Sequence, residues 1–252
     1  MKLSCLPVSL YRETPPLEDW ARLAQELGLD GFDLSILQLR GRDPKFFHEL
    51  PLVMVTTYPD FTHPDAGQRA REMEQFCRDA ALAAQAGTRY VRITAGQAHP
   101  GVDGMGWVVE AFQRAKDLSH DVTLVFENHS TPSVWQYPDF SHPTDIFLQI
   151  AKETGIAINF DTANTLVYGD DPLPVLREVI DQVVTVHVAD TARAGKLEPV
   201  VIGTGVAPIR EVFGVLKARG FDGWVSIEEA SGTGRQGFER AVKFVREAWE
   251  RA

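Results

Sequence analysis

Four residues in the second half of the chain are of types that bind a divalent cation: Glu127, Asp161, His187 and Glu228. Each closes a short run rich in β-branched and apolar residues, VTLVFE, AINFD, VVTVH and WVSIE, and the separations are 34, 26 and 41 residues. Each separation fits about one strand plus one helix. Side chains alternate across a strand. If these four point inward, Val125, Asn159, Thr185 and Ser226 do so too, while Phe126, Phe160, Val186 and Ile227 face the other way. That second set is entirely apolar, as expected of strands with helices on one side and chemistry on the other.

Taken singly, a strand-terminal acid is more often a helix cap or a surface charge. A histidine after Val-Thr-Val is more often a hydrogen-bonded packing residue. Four such groups at equivalent positions of successive strands change the balance, because converging without a cation they would bury unpaired charge. A bound divalent ion removes that cost. Three oxygens and one imidazole nitrogen suit Mn²⁺, Mg²⁺ or Co²⁺, with Zn²⁺ admitted by affinity order. The expectation is one ion per chain, manganese first. Four protein ligands in an octahedral shell leave two positions for adjacent substrate oxygens, and such a cation polarises a carbonyl and stabilises an enediolate.

Positioning these groups takes a repeated scaffold. Strand-like runs cover Leu3–Val8, Gly31–Ser35, Leu52–Thr57, Tyr90–Thr94, Val122–Glu127, Ala157–Asp161, Val183–Val188 and Trp224–Glu228. Helical periodicity fills 17–28, 65–86, 105–117, 144–154, 173–181, 207–219 and 235–250. Pro15-Pro16 precedes the first helix, Gly87 closes the second, Thr144 is placed to cap the fourth and Gly155 to stop it. The segment Leu37–Leu50, with Gly41 and Pro44, has room for a short helix only. Alternating β and α units imply a parallel sheet. Eight of them in 252 residues predict a single-domain (β/α)8 TIM barrel over 1–252, with its site at the C-terminal strand ends. The Gly-rich fingerprint of a doubly wound dinucleotide fold is missing after the first strand.

Composition narrows the class. With 44% hydrophobic and 24% charged residues the chain reads as an ordinary globular protein. Its net charge of −10 argues against a nucleic-acid partner. No apolar run is long enough to span a membrane, and Arg12 and Glu13 interrupt the start before a signal-peptide core forms. Cys5 and Cys77 make neither a disulfide framework nor a zinc ribbon, so a reducing cytoplasm is expected. Cys77, Phe76 and Ala80, at helical spacing, are expected in the core.

The motifs ENH (Glu127–His129), FDTAN (Phe160–Asn164), VHVADTAR (Val186–Arg193), GTG (Gly203–Gly205) and GFDGWVSIEE (Gly220–Glu229), with GFDLS at Gly31, together resemble the xylose isomerase-like TIM-barrel superfamily. That superfamily includes ketose 3-epimerases, hydroxypyruvate isomerases, inosose isomerases and dehydratases, and the endonuclease IV branch. The resemblance implies that Glu127 and Glu228 ligate metal and exchange the substrate proton, while Asp161 and His187 are ligands only. It also implies a substrate-binding role for Arg193, six positions after the metal histidine as in the ketose epimerases. Those enzymes carry a histidine three positions after the metal aspartate. Here that position is Asn164, which points to a different substrate head-group.

His129 and His63 are further substrate-binding candidates, and the loop 128–143 with Trp135, Tyr137 and Phe140 could wall off a sugar-sized site. Arg92 could project inward or pair with a core acid. The GTG turn is expected to tighten the entry to a helix rather than to bind an anion. The function expected is a metal-dependent sugar isomerase or epimerase working through an enediolate, with a small sugar-like substrate, compatible with a homo-oligomer. The alternatives are an inosose or 3-dehydroshikimate type of dehydratase, an endonuclease IV-like nuclease, which would need histidines this chain lacks, and a non-catalytic sugar binder.

Overall fold

The computed structural model describes residues 1–6, 17–49, 52–130 and 134–252. Strands β1 (Lys2–Cys5), β2 (Phe32–Ser35), β3 (Leu52–Thr56), β4 (Tyr90–Ile93), β5 (Thr123–Glu127), β6 (Ala157–Asp161), β7 (Val183–Val188) and β8 (Trp224–Ile227) form one eight-stranded sheet, in the order β1-β8-β7-β6-β5-β4-β3-β2. The registered pairs are parallel. Between the strands lie α1 (Leu17–Glu26), α2 (Ile36–Leu39), α3 (Ala66–Gln85), α4 (Met105–Leu118), α5 (Thr144–Thr154), α6 (Asn164–Val167), α7 (Pro172–Val179) and α8 (Ile209–Ala218), with α9 (Gly234–Arg251) after the last. This is the (β/α)8 TIM-barrel fold, nearly closed. No helix among the described residues is long and apolar enough to cross a membrane.

Two compact units make up the chain, one of Met1–Asp33 with Phe160–Ala252 and one of Leu34–Asn159. In the first, β8 lies between β1 and β7, with Ser226 in register with both Ser4 and His187. Its helix layer is held by aromatic edges: Phe213 of α8 meets Trp249 of α9 at 5.2 Å between ring centroids. In the second, Phe126 of β5 packs edge-on against Phe112 of α4 at 5.1 Å and lies against Phe147 of α5 at 5.2 Å. Phe61 extends the cluster to Phe76 and Phe112. Fully burying one such ring contributes roughly 2–3 kcal/mol. The strand residues expected to face helices, Phe126, Phe160, Val186 and Ile227, are all fully buried.

Helix boundaries follow local chemistry. Gly155 ends α5 in the left-handed region, φ 58°, where a Cβ would be strained, and its N–H reaches the Ala151 carbonyl. Thr144, expected to cap α5, is instead the first residue of the helix. Pro143 holds the cap position and offers no side-chain acceptor, so the first turn begins without a side-chain cap. The segment after β2 holds α2, capped by a Ser35–Gln38 capping box, and a 3-10 turn at Pro44–Glu49. Phe76 and Ala80 are buried on α3, whereas Cys77 is only half-buried, one residue off the inward stripe. Val8 and Pro15-Pro16 lie outside the described residues.

Candidate metal centre

Glu127 closes β5, Asp161 closes β6, His187 is the penultimate residue of β7, and Glu228 follows β8 directly. Each offers one ligand atom, and these atoms all lie within 4.8 Å of one another. Glu127, Asp161 and His187 are buried, and Glu228 is half-buried.

Neighbouring residues fix each group. Arg92 on β4 is in register with Val125, two residues before Glu127 and therefore on the same face. Its Nη1 donates to Glu127 Oε2 at 2.5 Å. Asn159, in register with Glu127, donates Nδ2 to the same oxygen at 3.0 Å. Asp161 Oδ1 accepts the main-chain N–H groups of Ala163 (2.8 Å) and Asn164 (2.6 Å), a tight turn that launches α6. His187 has a carboxylate at each end of its ring. Nδ1 is 2.9 Å from Glu228 Oε2 and Nε2 is 3.2 Å from Asp33 Oδ2.

The donor set fits a divalent cation. Two unit charges 4.8 Å apart repel by about 3 kcal/mol at an effective dielectric near 20, and three carboxylates present three such pairs. A doubly charged ion at their centre turns that repulsion into attraction, and one nitrogen with three oxygens is a hard-to-borderline set.

The remaining candidates are placed as follows. Asn164 sits half-buried at the start of α6, its main chain on Asp161. His129 is half-buried beside Asp139, with Nδ1 and Oδ2 at 4.0 Å, and its own N–H reaches the Glu127 carbonyl at 2.8 Å. His63 accepts the Asp65 N–H on Nδ1 and meets the edge of the His99 ring at 5.3 Å. Arg193 is exposed, its Nη2 on Glu198 of the same loop at 2.7 Å, and is not among the four clustered groups. Tyr137 packs on His99 at 5.4 Å, while Trp135 and Tyr58 line a cavity of about 320 Å³ that also holds the Arg40–Asp79 ion pair.

Sequence reasoning missed Asp33, Asp139 and the Asp60–His99 contact at 2.8 Å. Asp139 is fully buried, and burial raises its carboxyl to about 7 despite hydrogen bonds from Ser141 and the nearby Arg92 charge. Asp60 is also buried, but hydrogen bonds from Gln97, His99 and Thr62 overcome the burial and leave its carboxyl below the usual range. Inward alternation on β2 was the available signal for Asp33. The GTG turn has an internal anion: Asp190 Oδ2 accepts the N–H groups of Gly203 (2.9 Å) and Gly205 (2.8 Å), and Oδ1 accepts those of Thr191 (2.9 Å) and Ala207 (3.0 Å).

Solved structures similar to this chain share its fold at low identity. D-Psicose 3-epimerase with D-tagatose from Clostridium cellulolyticum H10 is 12% identical, covers 99% of both chains and gives a TM-score of 0.79. A probable 3-DHS dehydratase involved in petrobactin synthesis from Bacillus anthracis is 16% identical, covers 98% of this chain and 99% of its own, and gives a TM-score of 0.79. The IOLI protein with a binding zinc atom is 15% identical, covers 98% of this chain and 96% of its own, and gives a TM-score of 0.78. No curated protein sequence matches. The model of one family, described as xylose isomerase-like TIM barrel, matches residues 17–248, and the chain belongs to that family.

Proposed function

We propose that this protein is a divalent-metal-dependent isomerase or epimerase of a ketose or related polyol ketone, with Glu127, Asp161, His187 and Glu228 holding one cation. The observation that carries the reading is the convergence of four ligand atoms within 4.8 Å at strand ends. Epimerase structures among the similar folds support it, and a zinc-binding one agrees with a metal centre. Manganese is the first choice of ion. When bound, the cation supplies positive charge that polarises a substrate carbonyl.

The two glutamates then divide the proton transfer. Glu228, the more exposed of the pair, takes the proton alpha to the carbonyl, leaving an enediolate. Glu127, held by Arg92 and Asn159, returns a proton. Return to the opposite face of the same carbon inverts it, which is epimerisation; return to the neighbouring carbon is aldose–ketose isomerisation. His129, Asn164 and His63 are the substrate-contact candidates. Arg193 would have to leave Glu198 to join them. Loss of a β-hydroxyl from the same enediolate would give dehydration, the alternative favoured by the dehydratase among the similar folds.

Incubation with Mn²⁺ and a panel of free ketoses in D₂O tests the reading. Proton NMR is expected to show loss of one signal alpha to the carbonyl, and Glu127→Gln and Glu228→Gln are each expected to abolish the exchange. Near-normal exchange in both variants would refute it, and a conjugated, ultraviolet-absorbing product would reassign the chain as a dehydratase.

A further inference from the structure

His187 is the one imidazole among the four groups, and a carboxylate lies at each end of its ring. Nδ1 lies 2.9 Å from Oε2 of Glu228, itself one of the four clustered groups. Nε2 lies 3.2 Å from Asp33 Oδ2, on β2 and 154 positions away in sequence. Both side chains are almost fully buried.

Asp33 is an unusual residue to bury. Its Oδ2 has the imidazole, and its Oδ1 has no hydrogen-bond partner among the described residues. Cys5, near enough to feel its charge, is a buried thiol pushed upward and supplies no cation. A buried carboxylate with so little support is tolerated where its neighbour becomes more cationic, and an imidazole bound to a metal through its other nitrogen does so. The hydrogen bond on one ring nitrogen decides which tautomer is present and so which nitrogen has a lone pair to give.

We propose that Asp33 is a positioning residue for the metal centre: it accepts the Nε2–H of His187, fixes that tautomer and ring angle, and aims the Nδ1 lone pair at the cation. This rests on the metal-site reading above and adds to it a fifth residue outside the ligand set. Because Asp33 stands on β2, one early strand contributes to a centre whose ligands come from β5 to β7 and the end of β8.

The test uses metal affinity and tautomer state, both independent of turnover. In the full-length protein loaded with Zn²⁺, long-range ¹H–¹⁵N spectra, with the His187 ring assigned by its loss in His187→Asn, are expected to show a protonated Nε2 and a metal-shifted Nδ1. Calorimetric titration with Mn²⁺ is expected to show affinity about ten- to a hundredfold weaker in Asp33→Ala. A smaller loss is expected in Asp33→Asn, whose amide oxygen can still accept the ring N–H. A purely structural role predicts instead that both variants lose affinity only in step with their melting temperatures. Metal found on Nε2, or unchanged affinity in either folded variant, overturns the proposal. Should Asp33→Ala not fold, Asp33→Asn and the wild-type spectrum still decide it. Wild-type protein that binds neither Mn²⁺ nor Zn²⁺ would instead overturn the metal-site reading itself.

Discussion

Arg92 on β4 and Glu127 at the end of β5 form a buried ion pair, with Nη1 2.5 Å from Oε2 and both side chains almost completely withdrawn from solvent. Asn159 adds a second donor to that oxygen. The pair places one fixed positive charge beside a carboxylate assigned to a metal. Arg92 therefore fixes the orientation of Glu127 from within the protein itself.

Replacing Arg92 by methionine takes the cationic donor away from that buried carboxylate while Asn159 still donates to it. Breaking a buried pair from one side costs about 3–5 kcal/mol. Urea unfolding of metal-free Arg92→Met, followed by circular dichroism, is expected to show a loss of that order, with a smaller loss in Arg92→Lys. A change below about 1 kcal/mol in Arg92→Met would show that the pair adds little.

Asp139 gives the fold a pH dependence with a definite sign. Burial raises its carboxyl from the ordinary 3.8 to about 7, so the folded state holds a proton that the unfolded chain has released. Its stabilising contribution is full below about pH 4, falls away as pH climbs toward 7, and is gone above that. The shift corresponds to about 4 kcal/mol. Asp139→Asn keeps an acceptor for Ser141 without the charge. The variant is expected to gain stability over wild type as pH rises from 5 to 8 in thermal melts of the metal-free protein. Parallel profiles for the two proteins would contradict the assignment.

Asp190 organises the segment between β7 and α8, since four main-chain N–H groups converge on its carboxylate. A Cβ on Gly205 would collide with the Thr191 carbonyl and with Asp190 itself. Asp190→Ala strands four main-chain donors, of which that of Thr191 is buried; an unpaired buried donor costs about 1–3 kcal/mol. The melting temperatures of Asp190→Ala and Gly205→Ala are both expected to fall by several degrees. An unchanged melt for Asp190→Ala would show that the loop is held by other contacts.

The barrel and the four clustered side chains were legible in the sequence for one physical reason: both depend on periodicity. Phe126 and Phe160 alternate with Glu127 and Asp161 along their strands, so the polar face and the helix-packed face separate on residue type alone. Gly155 was equally legible, because a left-handed helix end favours glycine. Contacts between distant strands were not legible. Asp33 acquires meaning only when β2 brings it to His187, and Arg92 only when β4 lies beside β5. Asp139, in a loop without period, carried no signal of burial. The GTG segment was legible as a turn, but that its anion is Asp190 depends on a contact across the loop. The short α6 was missed because its start is set by the Asp161 carboxylate rather than by an apolar stripe.

Titrating metal-free protein with Mn²⁺ by calorimetry tests the central claim most directly. The account predicts one site per chain, lost in Asp161→Ala and in His187→Ala while both variants keep their circular dichroism spectrum. Failure to bind Mn²⁺ or any other divalent ion, or binding that survives both substitutions, would contradict it.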